Sequence, residues 1–233
     1  MKLLAVECAT EQLSVALLID AQVRERMQLA RGPAHGEAML PLVAELLAEA
    51  QLGLAALDAI AVGRGPGAFT GVRLAISVAQ GLAYSVGLPV IPVSTLAAVA
   101  WHAVERVPEA AGVLVCQDAR MAEVYTCAYA IEASGLRALT EERLCAPQAA
   151  QWPAAAVDAA ALWLGAGSGF AAYPTLPPAP GSGVRILADT PPGAAQVARL
   201  ARRYGLAAAL APEQLQPVYL RDSVAHPAAV NKP

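Results

Sequence analysis

The chain has 233 residues, 57% apolar and only 15% charged, with 16 basic against 19 acidic side chains. That length is ample for a real hydrophobic core in one large domain or two small lobes, which excludes a small stapled scaffold. A net charge of −3 argues against binding nucleic acid unaided through a basic footprint, and a charge content below the roughly 25% of ordinary soluble domains points to apolar surface shared with a partner. Four cysteines, Cys8, Cys116, Cys127 and Cys145, form no C-x-x-C pair, and Met1-Lys2 leads straight into a strand-like run without a signal peptide, so reduced thiols and a cytoplasmic location are expected.

Residues 2–7, 13–19 and 23–30 read as three successive short strands, a meander. Residues 36–51 form an amphipathic helix, with Met39, Leu42, Val43, Leu46, Leu47 and Ala50 against Glu37, Glu45 and Glu49; Pro41 starts or kinks it. A strand at 59–62 runs into the glycine-rich loop Gly63-Arg-Gly-Pro-Gly-Ala-Phe-Thr-Gly71, with Thr70 as N-cap of a helix over 71–86. A strand at 89–93 and a helix capped by Ser94 or Thr95 follow, so part of the sheet should be parallel.

No Asp, Glu, Lys or Arg occurs from Leu74 to Val104, but Gly87, Pro89 and Pro92 cut this run into pieces shorter than the roughly 20 residues that span a bilayer. After Pro108 the order repeats: strands at 112–117, 123–131 and 135–145, a short helix at 147–152, an apolar run at 161–164, and Gly165-Ala-Gly-Ser-Gly169. Pro174, Pro177, Pro178, Pro180, Gly181 and Gly183 mark an exposed loop. A last helix covers 193–209, with Val197, Leu200, Ala201 and Tyr204 on its buried side.

The first glycine loop precedes a helix, where backbone amides can cradle an anion. It is no P-loop, because no lysine lies between Lys2 and Lys232, and position 68 is Ala, which breaks the dinucleotide fingerprint. The alternative is a tight loop whose glycines let helix and strand pack closely. The second loop has the same two readings, and Ala166 removes the Gly-x-Ser-x-Gly elbow around Ser168.

Two lobes that each open with three strands suggest the duplicated actin-like (ASKHA, ribonuclease H-like) α/β fold, mixed sheets flanked by helices. The expected lobes are 1–105, completed by a C-terminal helix within 192–220, and a smaller one at 106–191. In this order the chain carries Leu4-Ala-Val-Glu-Cys-Ala-Thr10 with Ser14-Val-Ala-Leu17, His35-Gly-Glu-Ala-Met-Leu-Pro41, and Gly-Pro-Gly-Ala-Phe-Thr-Gly-Val-Arg73. Pro92-Val-Ser-Thr-Leu-Ala97 and Gln216-Pro-Val-Tyr-Leu-Arg-Asp222 complete the set. On these blocks it resembles the TsaB (YeaZ) family of the actin-like superfamily.

The resemblance implies a non-catalytic scaffold or activating subunit in making threonylcarbamoyladenosine at tRNA adenosine 37. Catalysis would rest with the paralogue TsaD, the ATPase TsaE would join the pair, and tRNA would be met only through the complex. No cofactor, metal or catalytic residue is implied for this chain, and a homodimer is implied when TsaD is absent. Superfamily ATPases hold a metal with a strand-end Asp, and the family has an Asp-Thr-Ser-like sequence there, whereas this chain has Glu7-Cys8-Ala9. TsaD holds a metal with two helix histidines, whereas His35 stands alone, far from His102 and His226.

These departures count against the rival readings, an independent small-molecule kinase or a glycoprotease-like peptidase. A charge-free helix that is apolar all round must be covered all round. That cover is either more of this chain, with the helix sandwiched inside a single core, or a partner; the resemblance implies that helices 36–51 and 71–86 form a bundle with TsaD or a second copy, with Met39, Val43, Leu46, Ala75, Val78, Ala79 and Leu82 as the candidate residues. The small-residue stripe Gly71, Ala75, Ala79 and Ala83 would permit close helix packing.

Overall fold

The computed structural model describes residues 1–29, 34–157, 161–177 and 183–221. Pro178, Pro180 and Gly181 of the expected loop, and Asp222, His226 and Lys232, lie outside the described residues. Strands β1 (Lys2–Glu7), β2 (Gln12–Ile19), β3 (Gln22–Leu29), β4 (Ala59–Gly63) and β5 (Val90–Val93) form one sheet in the order β3-β2-β1-β4-β5. β1, β2 and β3 pair antiparallel, whereas β4 pairs parallel with both β1 and β5.

The second sheet runs β11-β10-β6-β7-β8, from β6 (Gly112–Asp118), β7 (Val124–Glu132), β8 (Gly135–Ala138), β10 (Trp163–Ala166) and β11 (Val184–Leu187), with β9 (Arg143–Cys145) also on β7. It repeats the antiparallel opening and parallel continuation, which is the expected actin-like α/β arrangement. The third strand read at 135–145 divides into β8 and β9. The 147–152 helix is one 3-10 turn, Pro147–Ala149.

Among the described residues five α-helices complete the fold: α1 (Ala34–Glu49), α2 (Phe69–Val86), α3 (Thr95–Arg106), α4 (Gly169–Ala172) and α5 (Ala194–Tyr204). The side-chain alternation of β1 explains their placement. Leu4 and Val6 point into a core built with α1 and α2, while Leu3 and Ala5 point into a core built with α3 and α5. A strand buried on both faces reads as a continuous apolar run, as this one does. Val113 and Val115 of the second sheet enter the same core as α3 and α5, so these two helices form a layer between the sheets. Each fully buried Leu or Val here contributes about 2 kcal/mol.

α3 is capped by Ser94, whose hydroxyl accepts the Ala97 amide at 3.1 Å. α5 is capped from the first sheet: the Ala194 and Ala195 amides donate to Ser14 Oγ at 2.8 Å and Glu25 Oε1 at 3.0 Å. It stops at Tyr204 because Gly205 turns left-handed at φ 68°, so the expected 193–209 helix is shorter. Tyr204 at that end is exposed rather than buried.

Candidate functional site: a cleft between the sheets and an outer helical face

A cleft of about 1540 Å³ opens between the sheets, lined by Thr10, the start of α2, the β6–β7 turn and the C-terminal segment. The first glycine loop forms one wall, and its backbone is bonded into the chain. The Arg64 amide donates to Val93 O at 2.8 Å, the Ala68 amide to Ala9 O at 2.8 Å, and Gly65 O accepts from the Thr95 amide at 3.0 Å. A Cβ at Gly71 would stand 1.8 Å from Cys8 O, and one at Gly67 2.5 Å from Ala9 O. Of the two readings of this loop, close packing of helix on strand is the one these contacts support. α2 starts at Phe69, one residue before the expected cap Thr70, and its cap residue Ala68 has no side-chain cap bond.

The second loop is built alike. Cβ atoms at Gly167 and Gly169 would lie 2.7 and 2.6 Å from Cys116 O. The Gly167 amide donates to Thr190 Oγ1 at 3.0 Å and the Ser168 amide to Gln117 Oε1 at 3.3 Å.

Glu7 does not reach the cleft. It is fully buried under the first loop, where a Cβ at Gly63 would collide with its carboxyl at 1.9 Å. Its oxygens accept from the Ala9 amide at 2.7 Å and Thr95 Oγ1 at 3.0 Å. Burial raises its pKa to about 7, an effect partly offset by these hydrogen bonds. Burial also pushes the Cys8 and Cys116 thiols up to about 12, which keeps them protonated and poorly nucleophilic near neutral pH.

His35 lies in the first turn of α1, and His102 on α3 bonds Pro191 O through Nδ1 at 2.8 Å. Among the described residues no group of three or more His, Cys, Asp or Glu is placed to hold a metal ion.

Charged groups span the cleft in pairs. Arg120 bonds Glu11 and Asp118, each at 3.1 Å. Deeper in, Arg64 grips both oxygens of Glu142 at 3.1 and 3.3 Å, and Ser94 Oγ donates to the same carboxylate, joining the first sheet to the second. The C-terminal segment straps both sides. Gln80 of α2 donates to Pro212 O at 2.9 Å, the Val218 amide to Arg64 O at 2.9 Å, and Arg221 to Ala119 O at 3.1 Å and Glu123 at 2.6 Å. Tyr219 receives the Arg73 Nε hydrogen bond at 2.6 Å, while that guanidinium stacks 3.7 Å over Phe69. The Gln216-to-Arg221 part of the tail motif was visible in the sequence; its role as a strap needed the fold.

The second feature is the outer side of α1 and α2. Of the candidate partner residues, Met39, Val43, Leu46, Ala75 and Ala79 are buried in the core over the first sheet. That is a correction to their expected place on a partner surface. Gly71, Ala75, Ala79 and Ala83 are small because they face inward, where α2 nearly touches the end of β1. Val78 and Leu82 are only half-buried and lie nearer the opposite side, next to exposed Ser77, Gly81 and Ser85.

Sequence reasoning missed Leu40 and Tyr84, which are 51% and 79% exposed. Their size was the available signal, since a large apolar residue is costly to leave in water. The expected complete cover of α2 is absent within the described chain: its outer stripe of Leu74, Val78 and Leu82 is only half covered.

Comparison with known proteins agrees with this architecture. Residues 30–176 match the family model TsaD, tRNA N6-adenosine threonylcarbamoyltransferase. The tRNA threonylcarbamoyladenosine biosynthesis protein TsaB of Escherichia coli K12 is 36% identical over 227 residues, covering 97% of this chain and 96% of that protein. Its Haemophilus influenzae counterpart is 48% identical over 123 residues, covering 53% of this chain and 51% of its own length.

Among solved structures, YeaZ from Pseudomonas aeruginosa superposes with a TM-score of 0.81 at 38% identity, over 94% of this chain and 99% of that one. A second P. aeruginosa structure, described as an uncharacterized protein with similarity to peptidase YEAZ, reaches 0.84 at 39% over the same shares. Full-length coverage by both sequence and structure, on an actin-like fold, places this chain in the TsaB (YeaZ) family of tRNA threonylcarbamoyladenosine biosynthesis proteins.

Proposed function

We propose that this chain is a non-catalytic scaffold of the threonylcarbamoyladenosine assembly, which docks the catalytic subunit TsaD on the outer side of α1 and α2. The observation that carries the proposal is the half-covered apolar stripe Leu74, Val78 and Leu82 of α2, together with exposed Tyr84 on α2 and Leu40 on α1, on helices whose inner sides are packed in the core. Such a face loses free energy in water and regains it when a second helical pair covers it. Either TsaD or, in its absence, a second copy of this chain is the cover.

The absence of catalysis rests on side chains already engaged. Glu7 is buried, the glycine-loop amides of Arg64, Ala68, Gly167 and Ser168 bond within the chain, and the Cys8 and Cys116 thiols stay protonated. TsaE would join the pair, tRNA would meet this chain as part of the complex, and the work would be cytoplasmic. Among the described residues no helix is long and apolar enough to cross a membrane. Residues 1–105 with 192–220 would act as one lobe and 106–191 as the other.

The test is to mix the purified chain with TsaD from the same organism and measure mass by light scattering. A stable one-to-one pair is expected, with threonylcarbamoyl transfer only when TsaD is present. No pairing, or transfer by this chain alone, would overturn the proposal.

A further inference from the structure

α5 carries Arg199, Arg202 and Arg203 and no acidic residue, in a chain whose net charge is −3. Their i, i+3 and i+4 spacing places the three guanidinium groups on one contiguous surface, within about one helical turn. Together with Leu18, Ala21 and Trp101 they line a surface hollow of about 410 Å³. The patch is preorganised. Arg203 stacks 4.4 Å over the Trp101 ring, and Glu105 holds Arg199 at 3.1 Å while its other oxygen accepts from Gln196 at 2.8 Å.

Of the nearby carboxylates, Glu25 accepts the Ala195 amide at 3.0 Å and faces Arg199, which with Glu105 leaves Arg202 and Arg203 as the cations not already balanced. Asp20 pairs with the N-terminal ammonium at 3.3 Å, and Glu132 pairs with Arg137. Arg202 is exposed and, among the described residues, has no ion pair or hydrogen bond.

We infer that this α5 patch is a contact surface for an RNA phosphate backbone. Planar guanidinium groups suit phosphate oxygens, and an arginine already stacked on an indole loses little freedom when it binds. The outer face of the Arg203 guanidinium is also the kind of platform on which an unpaired base stacks. The patch is too small to hold RNA on a chain of net negative charge by itself; it adds contacts to RNA gathered by a complex. The inference rests on the proposed tRNA-modification role, which makes tRNA the polyanion this chain would meet.

The test is an anisotropy titration of labelled tRNA transcript with the chain mixed with its TsaD, over a salt series, with TsaD alone as the baseline. Arg202→Glu/Arg203→Glu should weaken binding by about tenfold at low salt and lower the salt slope by about two. The neutral pair Arg202→Gln/Arg203→Gln, gentler on the end of α5, should show the same direction at smaller size. Arg185→Glu, an exposed charge on β11, should leave binding unchanged, and inorganic phosphate at matched ionic strength should not displace the tRNA.

Unchanged binding in both double variants, equal weakening by Arg185→Glu, or competition by inorganic phosphate would overturn the inference. Light scattering on the same samples reads pairing separately. Lost pairing in the double variants with intact tRNA binding would assign the patch to the protein partner instead. Failure of the unmodified chain to pair would overturn the proposed function and with it this inference, whereas intact pairing with unchanged salt slopes in the double variants would overturn this inference alone.

Discussion

α2 and α3 both belong to the run from Leu74 to Val104 that contains no charged side chain, yet the fold treats them differently. α3 lies between the two sheets, and every residue from Thr95 to Trp101 is buried, as are Ala103 and Val104. α2 lies on the outside of the first sheet, buried along Val72, Ala75, Ile76 and Ala79 and half open along Leu74, Val78 and Leu82. The same absence of charge therefore accompanies two environments, enclosure by this chain in α3 and a half-open outer side in α2, which we propose is left for a partner. The buried side of α2 carries Gly71, Val72, Ala75, Ile76, Ala79 and Ala83, whereas its open side mixes half-buried Leu74, Val78 and Leu82 with exposed Ser77, Gly81, Tyr84 and Ser85.

Substitutions that probe enclosure should give the largest effects. Ala100→Arg places a charge in the layer between the sheets with no partner, and the expected cost of about 4 kcal/mol or more should prevent recovery of folded protein. A soluble, cooperatively melting Ala100→Arg variant would contradict the enclosed reading of α3. On the inner side of α2, Gly71→Ala drives a methyl group into the backbone carbonyl of Cys8. It should cost about 3 kcal/mol, read as a melting temperature lower by roughly 6–12 °C.

Glu7 beneath the same loop sharpens the comparison through pH. Its folded pKa of about 7 lies above the ordinary 4.5, so the folded state binds the proton more tightly than the unfolded state. The resulting stabilisation is complete below about pH 4.5 and is lost as pH rises through about 7. Glu7→Gln keeps the shape and can still bond Ala9 N and Thr95 Oγ1. Urea titrations should find it up to about 3 kcal/mol more stable than the parent above pH 7, with no difference near pH 4. An unchanged pH profile would show that Glu7 is not the group responsible. Arg64→Ala, which removes the half-buried bridge to Glu142 between the sheets, should cost about 1–2 kcal/mol in the same titrations.

The positions of β1, β4, β6 and β10 were legible because they are largely apolar runs bounded by turn residues, whereas their order within the sheets, and β11 at Val184–Leu187, were not read from the sequence. Helix positions were legible from their periodicity. Boundaries slipped where the backbone, not a side chain, ends the element. Ala68 begins α2 without a side-chain cap bond, and Gly205 stops α5 by its left-handed turn. The proposed partner surface was read from the sequence only as a pair of helices. Which side faces out depends on how closely α2 approaches β1, a distance set by Gly71 against Cys8 O, and helical periodicity alone cannot report it. The Arg64–Glu142 bridge and the C-terminal strap join residues far apart in the chain, and nothing in their local sequence announces the pairing.

The smallest expected change in stability accompanies the largest expected change in assembly. The double variant Val78→Arg/Leu82→Arg alters half-exposed positions, so it should melt within about 3 °C of the parent. In a complex the same arginines would bury unpaired charge. Light scattering of this variant mixed with TsaD is therefore the most direct test of the partner face. The account predicts folded monomers of each chain and no pair, whereas a one-to-one complex of undiminished affinity would contradict it.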